Sequence, residues 1–285
     1  MRRLTIIVTV VIIAASLAIG IYLVSTLGGS GNKVDDTQVA SADMATLHQL
    51  SMQPYGPSNG TGLAKVYSYS GTAFSSVKPI VVYVGAEYCQ FCAISRWGLV
   101  LALDRFGNFS GLEYMHSSAG EFNLATFTFV HAKYTSQYFT FQAYEAADRN
   151  GGTLSPPPTN YTTIWQSVNS ESFPFVDFNN KFVLKGSLIG DPTIIQNRNY
   201  SQIFADIRSG DSVGQEILAS ANMITGVICK MTGGVPAGVC TASPINSITS
   251  ALAAPGVGSI SIVPPSPTGL PTREAQHHSF PESGS

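Results

Sequence analysis

Cys89, Gln90, Phe91 and Cys92 form the stretch of this 285-residue chain best equipped for chemistry. Two thiols three positions apart can close into a disulfide and reopen, and the thiolate is the form that attacks another disulfide. An apolar run at residues 79–84 precedes them, and a helix is predicted from about residue 93 to residue 106. At such a strand-to-helix turn, the unpaired N–H groups and partial positive charge of the helix start favour thiolate over thiol at Cys89. A fixed disulfide and half of a zinc site are the competing readings, and CxxC spacing alone does not separate them. The buried strand before the pair, the helix after it and an X-Pro strand at Phe173-Pro174 together favour a redox-active pair.

The chain has two further cysteines, Cys229 and Cys240, which bracket a loop containing Gly233, Gly234 and Pro236. A structural disulfide is the leading reading, and closing a loop of about twelve residues would contribute roughly 3 kcal/mol. The sharper alternative is a second redox pair relaying electrons to Cys89 and Cys92. Zinc would need all four thiols, and the interval between Cys229 and Cys240 is awkward for a zinc knuckle. His116 and His131 read as strand or surface residues, away from metal spacing. Neither a metal nor a cofactor is expected.

Around these residues, 79–84 is continuous and β-branched, as a buried strand requires. Residues 65–70 and 112–116 read as further strands. Residues 98–103 are apolar around the whole helix circumference, so that helix must be covered on more than one side. Gly107 is expected to end it, and Trp97 to pack in the core. Residues 125–134 and 137–144 mix aromatic and polar residues, which predicts a hairpin turning near Thr135 and Ser136. Phe127, Phe129, Tyr138, Phe139, Phe141 and Tyr144 are expected to cover the apolar helix. Residues 150–160 read as a loop. Asn179 and Asn180, between two apolar runs, predict a second hairpin. Helices are predicted at 44–52, with Asp43 as N-cap, and at 200–208 and 214–231.

Only 11% of the residues are charged, against roughly 25% in ordinary soluble domains. An acidic exterior that keeps carboxylates protonated is one reading; dilution by an apolar anchor and neutral linkers is the other. There is no basic run, so no nucleic-acid partner is expected. Residues 4–27 carry no charge, and at about 1.5 Å per residue they span roughly 36 Å, enough for a bilayer core. A cleaved signal peptide is shorter, so an uncleaved anchor is favoured. Arg2 and Arg3 place residues 1–3 in the cytoplasm and everything after Gly28 outside. Residues 28–42 read as a linker, 43–253 as the folded domain, and the Pro-, Gly- and Ser-rich residues 254–285 as a disordered tail. The sequons at Asn59, Asn108, Asn160 and Asn199 are compatible with glycosylation.

Residues 86–92, Ala-Glu-Tyr-Cys-Gln-Phe-Cys, resemble the thioredoxin motif, and Phe173-Pro174 is similar to the thioredoxin cis-proline site. Over roughly residues 40–250 the chain resembles a mostly archaeal group of membrane-anchored thioredoxin-like proteins catalogued as a domain of unknown function. The likeness is carried by residues 78–118, with Arg96-Trp97 and 104–108, and extended by the anchor and the Cys229/Cys240 pair. It implies an α/β fold: a thioredoxin-like mixed sheet flanked by helices, with an inserted hairpin region at about 120–166 and an N-terminal transmembrane helix. It also implies a catalytic pair at Cys89 and Cys92, a cis peptide before Pro174, and substrate-binding residues Tyr88, Gln90, Phe91, Phe173 and Pro174. The chain departs from the thioredoxin pattern in three ways. Tyr83 stands where thioredoxins carry a buried Asp, Tyr88 replaces Trp, and Gln90-Phe91 replaces Gly-Pro.

The expected activity is thiol–disulfide exchange with extracytoplasmic proteins that carry thiols or disulfides. A membrane redox partner is expected to reset the pair, because one span without a cofactor cannot carry electrons across a bilayer. The alternative is a membrane-anchored binding or structural protein on the same scaffold, with an inert disulfide.

Overall fold

The computed structural model describes residues 35–53, 65–69, 71–169, 172–252 and 259–260. The expected anchor at 4–27, the sequon at Asn59 and most of the 254–285 tail lie outside them. Among the described residues, no helix is long and apolar enough to cross a membrane.

The fold is mixed α/β. Its central sheet has strand order β10-β1-β9-β8-β2-β7. These strands are β1 (Val66–Tyr69), β2 (Ile80–Gly85), β7 (Thr140–Glu145), β8 (Phe175–Phe178), β9 (Phe182–Lys185) and β10 (Ser259–Ile260). The β2–β7 and β1–β10 pairs are parallel and the others antiparallel. β2 is buried along its whole length because helices cover both faces, which is why it reads as an unbroken apolar run. Val81 and Tyr83 face a large core, while Ile80, Val82 and Val84 pack on Tyr161, Ile164 and Trp165 of helix α3 (Thr159–Asn169).

The large core is built around helix α2 (Gln90–Asp104), with α1 (Ser41–Ser51), α4 (Tyr200–Ser209) and α5 (Ser212–Met231) against it. Covering on several sides is what the all-apolar circumference of α2 demanded. Trp97 is fully buried, donates from Nε1 to the Ala125 carbonyl at 2.9 Å and meets Phe127 edge-on at 4.7 Å. Phe106 packs on Phe139. Gly98 lets α5 come close: a Cβ there would sit 2.5 Å from Ser220 Oγ. After α5, the short helices α6 (Ala237–Cys240) and α7 (Ile245–Ala251) fold back onto it.

Several expectations are corrected. The hairpin near Thr135 and Ser136 does not form. Instead β5 (Ala125–Thr128) pairs with β4 (Glu113–His116), and β6 (Lys133–Ser136) pairs with β3 (Gly107–Ser110). β7 crosses to join β2 in the central sheet. Alternating residues favour a strand but do not select its partner. The stretch 120–166 is therefore no hairpin insertion, since it supplies a central strand and most of α3. Gly107 opens β3 rather than capping α2, and α2 begins three residues earlier than predicted.

The linker and tail boundaries shift as well. Within the expected 28–42 linker, Asp36 and Val39 N–H groups bond to the Tyr114 and Leu112 carbonyls, and α1 starts at Ser41. Ala40 occupies the N-cap position there; Asp43 sits in the first turn and accepts from the Tyr114 hydroxyl at 2.6 Å. Two residues of the expected disordered tail form β10. The β8–β9 hairpin is present, and Asn179 and Asn180 both hold positive φ, 57° and 56°.

Candidate functional site

Strand β2 ends at Gly85, Ala86–Tyr88 make the turn, and Cys89 caps α2. The Cys89 Sγ accepts from the Cys92 N–H at 3.2 Å, so the sulfur takes the place of a capping oxygen. The structure has both cysteines as free thiols. The Cys89 thiol is held below its ordinary pKa, first by a hydrogen bond from the Cys92 side chain, with burial opposing and the Cys92 N–H, Arg96 and the Phe91 N–H assisting. Burial pushes the Cys92 thiol well up, and its bond to Cys89 adds to this. One helix start thus holds two unlike thiols, an activated one ahead of a protonated one.

Cys89 is only 7% exposed and Cys92 is closed off. Ala86, Tyr88, Ala147 and Phe173 pack around the pair. Phe173 also meets the Tyr88 ring edge-on at 6.4 Å and stacks on Trp165 at 5.2 Å. The Phe173–Pro174 peptide is cis, and buried Pro174 stands just before β8. Phe91 is the most exposed member of the motif at 38%, while Tyr88 and Gln90 are half-buried. The expected substrate residues Tyr88 and Phe173 therefore gather at the cysteines, whereas Pro174 lines a narrow cavity with Tyr83, Ser95 and Leu99.

Sequence reasoning passed over the charged residues beneath the motif. Arg96 is fully buried, four residues after Cys92 on α2. Its Nε and Nη2 donate to the Glu145 carboxylate at 3.0 and 2.6 Å, and Nη2 also donates to the Ala86 carbonyl. Glu145 ends β7 opposite Gly85. Nη1 has no hydrogen-bond partner among the described residues. Burial works most strongly against the Arg96 charge, but the Glu145 carboxylate, Tyr83, Cys92 and the hydrogen bond to Glu145 together outweigh it and keep the guanidinium protonated. Glu87, just before the motif, accepts from Thr128 Oγ1 at 2.6 Å, and burial raises its pKa. Glu121 accepts from the Gln90 N–H at 3.2 Å, and the Ser118 N–H bonds to the Tyr88 carbonyl, tying the 117–124 loop to the motif. A lone arginine in an apolar helix was the available signal; its acidic partner could not be read locally.

Tyr83 is fully buried and its hydroxyl has no hydrogen-bond partner among the described residues. The ring lies along its own strand over Gly85, where a Cβ would come within 2.1 Å of that hydroxyl. Arg96 lies 6.0 Å from the ring centroid.

Cys229 and Cys240 are joined as a disulfide, so neither is available as a ligand beside Cys89 and Cys92. The two pairs fall in separate apolar clusters. His116 pairs with Asp35 at 2.6 Å and His131 with Glu113 at 3.0 Å. Asn108, Asn160 and Asn199 are exposed, and the Asn199 side chain caps α4 by accepting from the Gln202 N–H.

A family model described as a domain of unknown function (DUF929) matches residues 65–230. The matched stretch runs from β1 to the end of α5 and includes the whole CxxC site. No curated protein and no solved structure matches the chain.

Proposed function

The chain belongs to the DUF929 family, whose description carries no activity, and we propose from its site that it is a thiol–disulfide oxidoreductase on a thioredoxin-like fold. The observation that carries this reading is the geometry of the CxxC pair: the Cys89 sulfur sits at the N-cap of α2 and accepts from the Cys92 N–H, with Cys92 buried behind it; the lowering of the Cys89 pKa and the raising of the Cys92 pKa agree with that placement. The Cys89 thiolate attacks a substrate disulfide, whose S–S bond breaks as the mixed disulfide forms and one substrate sulfur leaves. The Cys92 sulfur then attacks Cys89, expelling the second substrate sulfur, which takes up the Cys92 proton. Two electrons pass to the substrate and the pair is left as a disulfide; the reverse sequence oxidises a substrate dithiol.

Tyr88, Gln90, Phe91 and Phe173 form the surface that meets the substrate, with Pro174 fixing the strand entry beside it. The proposed location is extracytoplasmic, with residues 4–27 as anchor and a membrane partner resetting the pair. The Cys229–Cys240 bond fits that compartment. The test is site-resolved alkylation of the reduced full-length chain. Cys89 should react at least about tenfold faster than Cys92 at neutral pH, and Cys92→Ser should trap substrates as mixed disulfides. Equal, slow alkylation of both thiols would sink this reading. It would favour an anchored binding scaffold, the reading supported by the 7% exposure of Cys89.

A further inference from the structure

The charged residues of α2 and β7 are costly where they stand. A guanidinium and a carboxylate removed from water need excellent geometry to break even, and an apolar pair of similar volume would often be as stable. Arg96 and Glu145 are both closed to solvent, and the guanidinium nitrogen Nη1 is left without an acceptor among the described residues. Such an orphan donor carries a further cost. The pair is therefore poorly explained as a stabilising contact alone.

Its placement gives it another use. Arg96 lies one turn along α2 from Cys92, on the helix whose N-cap is Cys89. Glu145 and the Ala86 carbonyl hold two of its nitrogens and leave the third unengaged. We propose that Arg96 is a positioning residue for the CxxC pair: a buried, fixed cation that stabilises thiolate at Cys89 and then at Cys92, with Glu145 as the counter-charge that limits the effect. During resolution Cys92 must carry negative charge with no water to receive it. A guanidinium with a spare N–H can stabilise that charge without reorganising. Arg96 favours thiolate at both cysteines and Glu145 opposes it at Cys92, in keeping with this division. The inference rests on the oxidoreductase reading but can fail separately from it.

Opposite signs make the test. In the full-length chain, Glu145→Gln removes the counter-charge. It should lower the midpoint pH of Cys89 alkylation and favour the reduced pair by about tenfold, about 30 mV more oxidising for a two-electron couple. Adding Arg96→Met to Glu145→Gln should move both readouts back by at least as much. Arg96→Lys alone should keep the midpoint nearer wild type than Arg96→Met alone. Matching midpoints and potentials in the single Glu145→Gln and the double variant would overturn the proposal. If the double variant does not fold, Glu145→Gln decides, and a midpoint that stays put or rises overturns it. A wild-type pair with no reversible dithiol–disulfide step would instead sink the oxidoreductase reading, while a charge-dependent alkylation midpoint would still stand.

Discussion

At the scale of single residues, Tyr83 poses the sharpest question. It lies on the strand before the motif, where the resemblance to thioredoxin would imply an acid, yet its hydroxyl is buried without a hydrogen-bond partner among the described residues. An unsatisfied buried hydroxyl costs about 1–3 kcal/mol. Its ring has other partners, meeting Phe129 edge-on at 5.3 Å and lying over Gly85. Tyr83→Phe keeps those contacts and removes the orphan. It should raise the unfolding free energy by about 1 kcal/mol, read in denaturant titration, and leave Cys89 alkylation unchanged. A fall in the rate at which Cys92 resolves a mixed disulfide would show instead that the hydroxyl handles the Cys92 proton.

At the scale of elements, the C-terminal helices depend on a covalent tie. Cys229 lies in the last turns of α5, Cys240 ends α6, and both are buried in the main core. Closing a loop with a sequence separation of 11 should contribute about 3 kcal/mol, mainly by restricting the unfolded chain. The double replacement Cys229→Ser with Cys240→Ser should lower stability by about that much in denaturant titration. Because the two cysteine pairs occupy separate clusters, the relative alkylation rates of Cys89 and Cys92 should not change. A marked change in those rates would revive the relay reading of the second pair.

At the scale of the whole molecule, buried acids set the response to pH. Asp177 is 1% exposed, between Val82 and Val183 in the central sheet. Its Oδ1 accepts from the Asn180 N–H at 2.7 Å, and its Oδ2 has no hydrogen-bond partner among the described residues. Burial raises its pKa from 3.8 to about 7, against the effect of that N–H. Between these values the folded chain holds a proton that the unfolded chain has lost. Stability from this group is therefore fully present below about pH 4 and is lost as pH rises through 7, by at most on the order of 4 kcal/mol. Glu87, raised first by burial, works in the same direction. Unfolding free energies from pH 4 to 8 should fall with rising pH, and Asp177→Asn should flatten the slope. A slope unchanged in that variant would show that other groups control it. Greater stability in acid is compatible with the acidic-exterior reading of the low charge content.

The amino-acid sequence alone determined the features that depend on neighbours along the chain. The buried strand before the cysteines, the apolar helix after them, the Asn179–Asn180 hairpin, α4 and α5 all follow from periodicity, β-branching and turn residues within a few positions. Helix α3 was legible too, in the spacing of Tyr161, Ile164, Trp165 and Val168, but lay hidden within the expected insertion. Tertiary structure alone decided the partners. β5, β6 and β7 have similar strand character, yet they join three different ladders, because register is chosen by which faces can be buried together. The same β2–β7 register brings Glu145 to Arg96, 49 positions away in the chain, and the fold also nearly closes Cys89 beneath Tyr88 and Phe173. Charge pairing and access to the sulfur are properties of space rather than of spacing, so no local pattern could have supplied them.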